Sequence, residues 1–67
     1  MPKKIRDLKA MLRQAGWQLV AGGKGSHSKW QHGAVHRVII LSGNDGDDAK
    51  RYQEKDIARA VREAQTE

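Results

Sequence analysis

Ser26-His27-Ser28-Lys29-Trp30-Gln31-His32-Gly33-Ala34-Val35-His36-Arg37-Val38-Ile39-Ile40-Leu41 decides the fold. Residues 26 to 32 read as one strand, Gly33 marks a tight turn, and residues 35 to 41 form the next strand. Strands joined by so short a turn pair antiparallel. Val38-Ile39-Ile40-Leu41 is a continuous apolar run, which implies cover on both faces, or on one face plus an end. Side chains alternate along a strand, so His27, Lys29 and Gln31 share one face while Ser26, Ser28 and Trp30 share the other. Trp30 therefore reads as core rather than as a platform for stacking a base.

Working outward, Trp17-Gln18-Leu19-Val20 is apolar and β-favouring, with Trp17 assigned to the core. The run Ala21-Gly22-Gly23-Lys24-Gly25 breaks that strand and allows close approach of backbone to a ligand. Residues 3 to 15 carry Ile5, Leu8, Met11, Leu12 and Ala15 at helical spacing, with Gly16 as the stop. Residues 42 to 48 form a polar loop. Asp45, Asp47 and Asp48 suggest a calcium loop but lack its frame and its terminal glutamate, and a self-bonded turn explains them as well. Residues 53 to 65 form a second helix with Ile57, Ala60, Val61 and Ala64 as its stripe. The order α-β-β-β-α predicts a two-layer α+β domain over residues 1 to 67. Its three-stranded antiparallel sheet carries both helices on one face and leaves the other face open.

The bulk numbers agree with a small single domain. A chain of 67 residues buries about 60% of the surface its unfolded form exposes. Cysteine is absent, so no disulfide supports the fold. Thirteen Lys and Arg against eight Asp and Glu give a net charge of +5, which favours polyanionic partners. No apolar run approaches a membrane span, and the start lacks the apolar stretch of a secretion signal. The reading is a cytoplasmic protein.

Gly25-Ser26-His27-Ser28-Lys29 is the segment with chemistry in it. His27 exchanges protons near neutral pH, and Lys29 sets a cation on the same face. RNA is cut when its 2′-hydroxyl attacks phosphorus and the 5′-oxygen leaves. That reaction needs a base, an acid, and positive charge around phosphorus. His27 can serve as either proton carrier, Lys24 and Lys29 can supply charge, and the glycine-rich backbone can cradle phosphate oxygens. The second proton carrier is open: His36, His32 and water are candidates. Strand parity turns His32 to the other face, while His36 depends on register. On spacing alone, an inert surface histidine and a metal site of His27, His32 and His36 are alternatives.

Four features carry a resemblance to the HicA-type (YcfA-like) toxins. They are Leu12-Arg13-Gln14-Ala15-Gly16-Trp17, Lys24-Gly25-Ser26-His27 before a basic and aromatic strand, the strand Arg37-Val38-Ile39-Ile40, and a closing helix around Ile57 and Val61. The resemblance spans nearly the whole chain. It implies a fold similar to a double-stranded-RNA-binding domain. It also implies endoribonucleolytic cleavage of mRNA, with His27 as the catalytic residue, and neutralisation by a HicB-type antitoxin. RNA contacts are then expected from Lys24, Gly25, Ser26, Lys29 and Arg37, with no cofactor and no metal. Members commonly have a second histidine where Ser28 stands, and many carry proline and histidine near residues 41 to 45. Those departures keep a non-catalytic RNA-binding module, and a protein-interaction domain, as alternatives.

Overall fold

The computed structural model describes residues 3–22 and 27–65. Along the chain run α1 (Ile5–Gln14), β1 (Gln18–Gly22), β2 (His27–His32), β3 (Val35–Ser42) and α2 (Arg51–Gln65). The strands form one antiparallel sheet in the order β1-β2-β3, as expected for successive short connections. Both helices lie on one face.

α1 buries Ile5, Leu8 and Leu12, the centre of its predicted stripe, while Met11 and Ala15 pack at the margin of the core. Gly16 ends it with φ +93°, a backbone state that favours glycine. The Trp17 N–H then donates to Leu12 O at 2.9 Å and Gly16 N–H to Arg13 O at 3.0 Å, the paired bonds of a Schellman close. At the other end, the Asp7 carboxylate accepts the Lys4 N–H at 2.9 Å. The polar loop supplies the rest. Asp47 O accepts the Ile5 N–H at 2.9 Å and Asp45 O the Arg6 N–H at 3.2 Å. The loop therefore caps the helix start, whose first N–H groups lack partners within the helix. Its acidic side chains meet cations of α1: Asp48 pairs with Lys4, and Asp45 with Lys9 at 2.6 Å.

The core sits between the helices and the sheet. Trp17, Trp30, Ile39, Leu41 and Ile57 are each at most 2% exposed. Trp30 faces Ile39 across the β2–β3 ladder. Its indole N–H donates to Ser28 Oγ at 2.9 Å, so Ser28 is a buried hydrogen-bond partner. Trp17, just before β1, donates its indole N–H to Ala60 O at 3.3 Å and ties the start of that strand to α2. Each amphipathic ring thus has its polar atom satisfied inside the core.

Three details differ from the sequence expectation. β1 continues through Ala21 and Gly22, because a bulge at Val20 absorbs the irregularity that the glycine run suggested. α2 begins at Arg51, two residues early: the buried Gln53 accepts the Lys50 N–H at 2.8 Å and donates to Ser42 O at 2.8 Å. The apolar run of β3 is covered on one face only. Ile39 and Leu41 are buried, whereas Val38 is 44% and Ile40 58% exposed.

Candidate functional site

The open face of the sheet is set by alternation. On β2 the exposed positions are His27, Lys29 and Gln31, and the inward ones are Ser28, Trp30 and His32. On β3 the outward set is His36, Val38 and Ile40. His27 opens β2 opposite Ser42, and Lys29 stands opposite Ile40. Ser42 is thus the residue across from His27 in the ladder, although it lines a separate cavity with Ile5, Asp47 and Gln53 rather than the depression beside the imidazole. Sequence reasoning left Ser42 in the loop; register alone makes it a neighbour of His27.

Beside His27 lies a shallow depression of about 140 Å³. Ala21, Gly22, His27, Ser28, Lys29 and Ile40 line it. Its floor depends on Gly22, which has φ +89° and passes against the His27 backbone. Lys24, Gly25 and Ser26, expected to hold phosphate, lie outside the described residues.

The other expected residues fall as follows. His32 faces the helices. The Ala34 N–H donates to its Nδ1 at 2.9 Å, so Nε2 carries the proton and donates to Ala15 O at 3.0 Å. The ring also meets Trp17 edge-on at 5.5 Å. His32 is thus a strut between β2 and the end of α1. His36 shares the open face with His27, but His27 pairs with Ser42, six residues along β3. At about 3.3 Å per residue that is roughly 20 Å, too far for direct proton exchange. Arg37, expected among the RNA contacts, has inward parity. Its guanidinium bonds Glu63 through Nε at 3.0 Å and reaches Asp56 at 3.4 Å. It clamps β3 to α2, an inter-element contact that sequence spacing does not reveal. Glu63 holds its partner's pKa above the ordinary arginine value and is itself held below the usual carboxylate range by that guanidinium.

The depression therefore joins an imidazole, an ammonium group and the apolar side chain of Ile40, with Val38 further along the same open face. That set can exchange a proton and stabilise negative charge beside it. Among the described residues, no helix is long and apolar enough to cross a membrane. No curated protein and no solved structure matches the chain. One family model does, the HicA toxin of bacterial toxin-antitoxin systems, over residues 5–63. That match takes in α1, all three strands and all but the last two residues of α2, so the chain belongs to the HicA toxins of bacterial toxin–antitoxin systems.

Proposed function

We propose that this toxin is a metal-independent endoribonuclease that cleaves mRNA, with His27 as its general acid–base. The carrying observation is the exposed placement of His27 on the open sheet face, with Lys29 on the same side and the depression between them. In the reaction a base removes the 2′-hydroxyl proton, the 2′-oxygen bonds to phosphorus, and the bond to the 5′-oxygen breaks. A proton then goes to that oxygen, leaving a 2′,3′-cyclic phosphate and a 5′-hydroxyl. Lys29 stabilises the charge on the phosphorane oxygens, and Lys24, Gly25 and Ser26 complete the phosphate contacts. The separation of His36 from His27 favours Ser42, the cross-strand partner of His27, or a solvent water for the second proton transfer.

The same face suits a HicB-type antitoxin. Val38 and Ile40 offer apolar area next to Lys29, the mixture of apolar centre and charged rim that protein interfaces use. An antitoxin seated there blocks RNA directly.

The test is cleavage of a labelled RNA by the purified chain in the presence of a chelator. His27→Ala should lower the rate by about 10²–10⁴-fold, the usual contribution of a positioned acid–base. A 2′-deoxy nucleotide at the cut site should block cleavage. RNA that binds but stays intact with the wild-type chain would replace this reading with a non-catalytic RNA-binding module.

A further inference from the structure

The chain carries thirteen cations, and the two helices use theirs differently. On α1, Lys9 is paired with Asp45, Arg13 lies 5.2 Å over the Trp30 ring, and Lys4 at the cap is paired with Asp48, which leaves Arg6 as its one exposed cation with neither an ion pair nor a ring contact among the described residues. On α2, Arg51, Lys55, Arg59 and Arg62 are all exposed. At 100° per residue they cluster on the side away from the buried Gln53, Ile57 and Ala60. Two carboxylates of α2 are drawn aside: Glu63 and Asp56 turn to Arg37, and Arg59 keeps only a 3.9 Å approach to Glu63, while Glu54 in the first turn makes no ion pair among the described residues. Among the described residues, Arg51, Lys55 and Arg62 have no ion-pair partner.

The four cations step along α2 by four, four and three residues, a ridge about 16 Å long. Tyr52, 63% exposed, stands at its flank. With Lys55, Asp56 and Arg59 it lines a shallow groove of about 270 Å³. A row of cations beside an accessible aromatic ring is the arrangement that tracks a phosphate chain and stacks a base of single-stranded nucleic acid. The ridge lies on the helical layer, on the opposite side of the molecule from His27.

The geometry points to a second RNA-binding surface on α2, separate from the cleavage face, that grips the phosphate backbone of a long single-stranded RNA. This rests on the ribonuclease reading, since it takes the same class of ligand. Its consequence is that long RNA is held at two places while a short fragment is held at one.

The test uses the full chain with His27→Ala, so that RNA survives, and compares it with the same chain carrying R51Q, K55Q, R59Q and R62Q together. Affinity is measured for a hexanucleotide and for a long unstructured RNA over a range of salt. The ridge variant should bind the hexanucleotide as its parent does. It should bind long RNA at least 10-fold more weakly at low salt. The slope of log affinity against log salt should shrink by about 0.7 for each lost contact. Lysine at the three arginine positions should restore the slope, and circular dichroism should be unchanged throughout. Equal affinity and slope for long RNA, with hexanucleotide binding intact, would overturn the second surface and leave the ribonuclease reading standing. Equal loss on both ligands would also overturn it, because the ridge would not then be a separate site. A parent chain that binds neither RNA would sink both readings. Loss of antitoxin binding with RNA binding intact would make the ridge a protein contact and reject it as an RNA surface.

Discussion

A Cβ placed on Gly22 falls 2.2 Å from the carbonyl oxygen of His27 and 2.9 Å from the Ser28 Cα. The last residue of β1 and the first of β2 thus touch backbone to backbone, with Gly22 at φ +89°. Both features demand glycine, the φ because a side chain strains it and the contact because nothing else fits. Gly22→Ala should cost about 1–3 kcal/mol by urea unfolding. It should also shift the His27 backbone and lower RNA cleavage at least 10-fold in protein that remains folded. Wild-type cleavage by a folded Gly22→Ala variant would show that this contact does not position the histidine.

Ser28 marks a separation between stability and activity. It is buried at 4% exposure and accepts the indole N–H of Trp30, while its neighbour His27 points to the other face. Ser28→Ala leaves a buried donor without a partner. The expected loss is about 1–3 kcal/mol in urea unfolding. Cleavage per folded molecule should stay near the wild-type rate. A large fall in rate at unchanged stability would assign Ser28 to the reaction instead.

Register distinguishes two candidates for the second proton carrier. Ser42 stands opposite His27, and His36 stands six residues further along β3. His36→Ala should leave the cleavage rate within about 2-fold of wild type. Ser42→Ala should lower it by about 10-fold or more, within the range for a lost acid–base or its relay. The reverse pattern would mean that RNA bridges the length of the hairpin.

The fold and the site were unequally legible. Local periodicity was enough for both helices, since Ile5, Leu8, Leu12, Ile57 and Ala60 repeat at helical spacing and are buried. Strand parity was enough to put Trp30 inside and His27 with Lys29 outside. What failed were contacts between distant segments. Nothing near Arg37 in sequence announces Glu63 or Asp56, and nothing near Ser42 announces His27. The start of α2 was hidden because its cap is Gln53 acting on Lys50, not one of the usual short polar residues. The acidic loop was read as a turn, yet its carbonyls finish α1, which depends on a fold-level approach of residues 45 and 47 to residues 5 and 6.

The ion pairs around Arg37 and Lys9 predict the acid limb of stability. The guanidinium of Arg37 holds the Glu63 carboxyl below its ordinary value, chiefly through their hydrogen bond, and Lys9 does the same for Asp45. In the folded chain these carboxyls bind fewer protons than in the unfolded chain near pH 4, so stability rises with pH through that region. The contribution is complete at neutral pH and is lost as pH falls through the lowered folded values. Asp45 is exposed and Glu63 only half-buried, so the effect is modest and weakens with salt. The urea midpoint should drop between about pH 6 and pH 3. A variant with Arg37→Met and Lys9→Met removes both partners while keeping the apolar stems, and should flatten that drop. An acid limb of unchanged steepness in the double variant would place the responsible carboxyls elsewhere in the chain.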